Sequence, residues 1–206
     1  MADEEVRRQV QPVSAPGGGT SVDDALFREA IGHFATGVTV ITTSHEGAPA
    51  GMTASAVASL SLDPVLLLVC ISNRLPTHKA IETSGAFVVN VLGQGQDRLA
   101  RHFATPAPNK FAGIALRDEY ELPVLSEAIA HFVCDVYGRF PGGDHSIFTG
   151  LVRECGFIPG KRPLVYFRSA FGALDDRERA LARAGVGWDV ASLGGIASPT
   201  FTVEDE

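Results

Sequence analysis

Residues 51–64 read Gly51-Met52-Thr53-Ala54-Ser55-Ala56-Val57-Ala58-Ser59-Leu60-Ser61-Leu62-Asp63-Pro64. Small and hydroxyl side chains crowd this stretch. A strand of such residues lets a flat polar ligand lie against the backbone, whose N–H and C=O groups are strong donors and acceptors. Side chains alternate with period two, so Thr53, Ser55, Ser59 and Ser61 are expected on one face of one extended strand. The chemistry this supports is binding and orientation. An ordinary hairpin strand with a solvated Ser/Thr face has the same pattern, and residue types alone leave both readings open.

Other chemistries lack their residues. Gly93-Gln94-Gly95-Gln96-Asp97-Arg98 misses the last glycine of the dinucleotide fingerprint, and there is no P-loop, H-E-x-x-H or G-x-S-x-G motif. The histidines, His33, His45, His78, His102, His131 and His145, show no metal-ligand spacing. Cys70, Cys134 and Cys155 form no C-x-x-C pair, so neither a disulfide framework nor a zinc site is expected. Cys70 and Cys134 lie in apolar runs and are expected as buried small hydrophobes of a reducing compartment. Such a chain can still be an enzyme when a cofactor carries the reaction.

The elements that would position these residues follow from punctuation and periodicity. Residues 1–22, with Gly17-Gly18-Gly19, form an expected disordered leader. Asp23 or Asp24 caps a helix through Leu26, Phe27, Ala30, Ile31 and Phe34, whose apolar face is expected on a core and which Gly37 ends. Strands are expected over residues 38–43, the Gly51 segment, 65–71 (buried on both faces), 86–92, 129–140, 146–153 and 163–168. Short helices are expected from Thr77, as N-cap, to Gly85 and over residues 94–104. Residues 23–174 then form one domain and 175–206 a Gly-rich acidic tail, with a short helix over 176–184. Six or seven strands with short helices between them fit a closed antiparallel barrel better than a doubly wound parallel sheet.

Composition bounds the function. The chain has 206 residues, 45% of them apolar, enough for one domain with a sizeable core. A net charge of −7 with no basic cluster argues against nucleic acid as a partner. The longest apolar run is far shorter than a membrane span, and the charged residues 1–8 do not read as a secretory signal, so a cytoplasmic protein is expected.

Several segments, in order, resemble the flavin reductase-like family, the small reductase components of two-component flavin-dependent monooxygenases. They are Phe34-Ala35-Thr36-Gly37-Val38-Thr39-Val40-Ile41-Thr42, Gly51-Met52-Thr53-Ala54-Ser55-Ala56, Ser59-Leu60-Ser61-Leu62-Asp63-Pro64 and Thr77-His78-Lys79-Ala80-Ile81. Ser84-Gly85-Ala86-Phe87-Val88-Val89-Asn90-Val91-Leu92, Lys110-Phe111-Ala112-Gly113-Ile114, Gly143-Asp144-His145 and Pro163-Leu164-Val165-Tyr166-Phe167-Arg168 follow. Each is weak alone, while the ordered set, over about residues 25–172, is specific.

The resemblance implies a mainly β split β-barrel that dimerises with a second copy and binds FMN or FAD. It implies reduction of that flavin by NADH or NADPH and delivery to a separate monooxygenase. Gly51, Met52, Thr53, Ala54, Ser55 and Ala56 would lie along the isoalloxazine edge, with Cys70, Ile71 and Ser72 on the next strand beside it. Ser72 and Thr77 would meet the flavin phosphate. His102, followed by Phe103, stands where the family places a basic side chain against that phosphate; here it is His rather than Arg. His145 would line the nicotinamide side, and its alternative role is a turn histidine held by Asp144. Lys110 is expected as a solvated lysine, and Tyr166 and Phe167 as core or dimer-interface residues. No basic cluster awaits a 2′-phosphate, which favours NADH. The alternatives are a non-catalytic flavin-binding protein on the same barrel, which would not need Gly143-Asp144-His145, and a relative using pyridoxal phosphate or a deazaflavin, which would carry more Arg and Lys.

Overall fold

The computed structural model describes residues 22–117 and 120–174. The chain divides into two compact units, Met1–Ala173 and Leu174–Glu206. The expected leader (except Val22) and the helix over 176–184 fall outside the described residues.

Helix α1 (Asp24–Ile31) starts on Asp23, whose Oδ2 accepts the Leu26 N–H at 3.3 Å. It stops at Gly32 rather than running to Gly37. The chain is drawn out of the helix because Thr36 and Gly37 form β1 (Thr36–Gly37), opposite Tyr166 and Val165. The amide of Arg168 also donates to the Gly32 carbonyl at 3.0 Å. No residue of α1 is buried: Leu26, Phe27 and Ile31 are all more than half exposed, and Phe34 beyond it is 72% exposed. The expected apolar stripe exists, but nothing among the described residues covers it.

Strand β2 (Thr39–His45) turns through Glu46 and Gly47, both at positive φ, into β3 (Ala48–Ala54). Two left-handed residues match the twist of a two-residue hairpin loop. The Gly51 segment is not one strand. β3 ends at Ala54, Ser55 and Ala56 break the pairing, and β4 (Val57–Leu62) begins on the far side of the sheet. A bulge between Ser59 and Ser61 shifts the alternation again. Thr53, Ser55, Ser59 and Ser61 therefore do not share one face.

β5 (Val65–Ser72) leads to α2 (Pro76–Ser84), which begins on Leu75 with Pro76 at its first position. Proline has no N–H to satisfy there, so Thr77 is not the N-cap but lies inside the first turn, buried. Gly85 closes α2 at φ +70. β6 (Ala86–Val91) follows. α3 (Asp97–Ala104) starts three residues later than expected, because the Gln94 amide is bonded to the Arg162 carbonyl and Gln96 Oε1 accepts the Gly93 amide. The long hairpin β7 (Ala130–Gly142) and β8 (His145–Phe157) comes next, then β9 (Val165–Phe167) and β10 (Ala170–Gly172).

The main sheet is antiparallel, in the order β3-β2-β6-β7-β8-β5-β4; β1, β9 and β10 form a small second sheet. The main sheet curls. Ala54 on edge strand β3 shares one buried cluster with Leu67, Val69 and Ile71 of β5, across Ile41, Phe87, Val89, Cys134 and Phe148. Fully burying a side chain such as Phe87 contributes roughly 1.5–3 kcal/mol. A second cluster seats α3 on the sheet through Ala100 and Phe103 against Val38, Val40 and Leu92. The fold is mainly β with few short helices.

Candidate functional site

β5 is not buried on both faces. Leu67, Val69 and Ile71 point into the core, while Leu68, Cys70 and Ser72 are half-buried. Leu68 and Cys70 line an open cavity of about 940 Å³. Ser55 and Ala56, at the break between β3 and β4, form part of its wall, and so do Thr36, Thr39, Val57 and Ser59. Its floor is apolar, with Leu66, Val89, Val91, Phe132 and Val152. This volume and lining are those of a small-molecule site: apolar walls with a few polar groups. The Thr36 hydroxyl is buried here with no hydrogen-bond partner among the described residues. Thr39 is committed, its hydroxyl donating to the Ala54 carbonyl at 2.7 Å.

The structure sorts the residues expected at the site into three places. Ser55, Ala56 and Cys70 share the cavity wall. Ser72 sits directly across from His145 in the β5–β8 register, with Ile71 opposite Ser146; Thr77 follows in the first turn of α2. Gly51, Thr53, His102, Phe103 and Lys110 meet at the α3–β3 contact instead. Thr53 Oγ1 donates to the Ala100 carbonyl at 2.6 Å, and His102 Nε2 donates to the Lys110 carbonyl at 2.6 Å. Phe103 is fully buried, so its side chain serves packing. Gly51 is also buried, because an added Cβ would press on Phe111, Phe103 and the Ile41 carbonyl at 3.1–3.2 Å. Met52 packs against the main core and Ala54 belongs to it, which leaves their backbones for any ligand contact. Ile71 is likewise fully buried.

Lys110 is not a solvated lysine. Its Nζ donates to the Phe103 carbonyl at 2.8 Å and reaches the Gly51 carbonyl at 3.4 Å. Partial burial lowers its pKa below the usual lysine range. It ties the last turn of α3 to β3. At the tip of the β7–β8 hairpin, His145 Nδ1 donates to Asp144 Oδ1 at 2.7 Å. That hydrogen bond, then the imidazole's charge, holds the exposed Asp144 carboxyl below its ordinary pKa. The bond accounts for Nδ1 and leaves Nε2, the outer ring nitrogen, as the side that could meet a ligand. Cys134 is buried and its thiol is pushed up to about 12, by burial first and the Asp135 charge second. Cys70, by contrast, is half-buried on the cavity wall, not a core residue.

The arrangement of elements around this cavity has known counterparts. The flavin reductase like domain model matches residues 31–175. The chain belongs to the flavin reductase-like domain family. It is 44% identical over 151 residues to the reductase component of a 4-nitrophenol 4-monooxygenase/4-nitrocatechol 2-monooxygenase from Rhodococcus opacus, covering 73% of this chain and 81% of that one. Among solved structures, flavin reductase PheA2 superposes with a TM-score of 0.69 at 38% identity, covering 75% of this chain and 99% of that one. The NADH:FAD oxidoreductase SgcE6 of Streptomyces globisporus C-1027, in complex with NAD and FAD fragments, superposes with a TM-score of 0.70 at 33% identity, over 76% and 98%.

Sequence reasoning passed over three residues that the flavin reductase-like fold brings to this region. Thr36 lay inside a quoted motif without a role, because only the fold shows its hydroxyl buried beside the cavity. Asn73 and His78 lie 70 or so residues from the hairpin tip that they join, a separation no local pattern reveals. A histidine two residues after a proline, at the start of an expected helix, was the one available signal.

Proposed function

We propose that this protein is an NAD(P)H-dependent flavin reductase that supplies reduced FMN or FAD to a separate monooxygenase. The observation that carries the reading is the cavity between the end of β3 and the face of β5, within a chain that belongs to the flavin reductase-like family. The residues present fit a flavin. The apolar floor suits the ring, and the small residues Ser55 and Ala56 leave backbone within reach at a break in the sheet. The Thr36 hydroxyl, without a partner among the described residues, offers one further polar group. A flavin held there would supply the hydride acceptor and would carry the electron pair to the oxygenase.

The chain's own residues bind and orient. Ser55 and Ala56 hold the polar edge of the ring, and Cys70 closes one side. Ser72 and Thr77 hold phosphate at the end of β5 and the start of α2. His145, fixed through Nδ1 by Asp144, presents Nε2 to the nicotinamide. No residue is required as acid or base, because a hydride moves with its electron pair and the protein's contribution is proximity. His102 and Phe103 face the α3–β3 contact, so their part is to support β3. Residues 23–174 are the working domain, folded as a split β-barrel, paired with a second copy and acting in the cytoplasm.

The test is aerobic oxidation of NADH and NADPH by purified protein with FMN, FAD or no added flavin. Turnover that depends on added flavin is expected, with NADH preferred. A yellow protein that stays oxidised under NADH would overturn the reductase reading in favour of a flavin-binding module.

A further inference from the structure

A hydrogen-bond chain, buried at His78 and Ser146 and exposed at Asn73, links three separate elements next to this site. His78, on α2, is 8% exposed and lies edge-on to Phe148, with ring centroids 5.2 Å apart. Its Nε2 is 2.9 Å from the hydroxyl of Ser146, itself 7% exposed near the start of β8. The Ser146 hydroxyl donates to Asn73 Oδ1 at 2.8 Å, and Asn73 Nδ2 reaches the Gly143 carbonyl at 3.4 Å. The Asn73 amide donates to the Asp144 carbonyl at 3.0 Å.

Donor counting fixes the direction of the chain. The Gly143 carbonyl only accepts, so Asn73 must turn its NH₂ toward it and its oxygen toward Ser146. The Ser146 hydroxyl has one proton and gives it to that oxygen. His78 must therefore donate from Nε2. The donors run from α2 through Ser146 and Asn73 to the hairpin tip, and Asn73 grips two successive carbonyls of that tip. The next residue is His145. Gly143, at φ +71, makes the tip a tight turn whose orientation its neighbours must set.

We propose that His78, Ser146 and Asn73 form a positioning relay that locks the 143–145 turn, so that His145 is held ready for the nicotinamide co-substrate. This rests on the reductase reading above. None of the three is assigned contact with a reacting atom; they act through the turn, as supporting residues around a binding group do. The relay joins that turn to α2, so one network sets the spacing between the nicotinamide side and the phosphate end of the site.

Asn73 is exposed and can be changed with little risk to folding. Steady-state NADH oxidation is measured for the native chain, Asn73→Ala, Ser146→Ala, the double variant and Ser146→Thr, with thermal midpoints alongside. Asn73→Ala is expected to raise the NADH KM about tenfold with the flavin KM and kcat nearly unchanged, the scale of one lost hydrogen bond. If the three residues act as a unit, the double variant equals either single one, and Ser146→Thr, which keeps the hydroxyl, restores the NADH KM. An unchanged NADH KM, a rise confined to the flavin KM, or additive losses that only track the thermal midpoint would overturn the relay while leaving the reductase reading intact. A native chain that does not oxidise NADH with any flavin would overturn both.

Discussion

Asn90 is a fully buried amide that ties three pieces of chain together. Its Nδ2 donates to the Val40 carbonyl and the Thr42 hydroxyl, each at 3.0 Å, and its Oδ1 accepts the Leu125 amide at 2.8 Å. Thr42 in turn donates to the Pro123 carbonyl. β2, β6 and the 123–125 segment are thus pinned by one side chain in the middle of an apolar strand. Replacing Asn90 with Leu keeps the branched shape but strands the Leu125 amide without its acceptor. Leaving a buried donor unmatched costs about 1–3 kcal/mol. Urea titration of Asn90→Leu should show a midpoint lower by that loss divided by the slope, with the slope itself unchanged, since the surface exposed on unfolding hardly changes. An unshifted midpoint would mean that the amide is satisfied some other way.

At the scale of elements, strand pairing depends on where side chains are absent. Gly150 in β8 faces Phe87, and a Cβ there would lie 2.6 Å from Phe87 Cζ and 2.8 Å from Cys134 Cβ. Neither neighbour can retreat, because Phe87 and Cys134 are both fully buried. Gly85 poses a different problem: space around it is open, but its φ of +70 is left-handed. Gly85→Ala should cost about 1 kcal/mol, and Gly150→Ala, which overpacks the core, about 1–3 kcal/mol or more. Thermal melts of the pair should rank them in that order; the reverse order would mean that the Phe87 pocket is plastic. These two glycines also mark what was legible in the sequence. Gly85 was readable as a helix stop, because its reason is local. Gly150 was not, because its reason is a phenylalanine 63 positions away. The same division separates Asp23, whose capping role is local, from α1's apolar face, since periodicity reveals a stripe but not what covers it. It also explains the Gly51 segment. Its residue types marked a place where a ligand can approach backbone, yet the break at Ser55 and Ala56 and the bulge beyond Ser59 come from the sheet's curl. Thr53 and Lys110 stood inside motifs and were expected along the isoalloxazine edge and in solvent, because their carbonyl partners, Ala100 and Phe103, belong to α3, which no local pattern brings to them.

At the scale of the whole molecule, the apolar surface left exposed among the described residues and the cavity are one feature. Leu26, Phe27 and Ile31 on α1, Phe34 after it, and Tyr166 and Phe167 on β9 are all exposed. Ile31, Phe34 and Tyr166 also line the open cavity. A contiguous exposed apolar face of this kind marks an interaction site, and a second copy of the chain is the occupant proposed above. A partner seated there would wall off the open side of the cavity, so assembly and flavin binding should be coupled. Phe34, the most exposed of the six, is the residue to change, because its ring supports no core among the described residues. Sedimentation of the native protein should give twice the chain mass of 21.7 kDa, and Phe34→Asp should shift it toward a single chain. Because the partner would complete the cavity, that same variant should bind flavin more weakly than the native protein at equal chain concentration, and raising its concentration should recover part of the loss by mass action. A native protein that sediments as a single chain and still reduces flavin at full rate would show that the face has another purpose and that one copy of the cavity is enough.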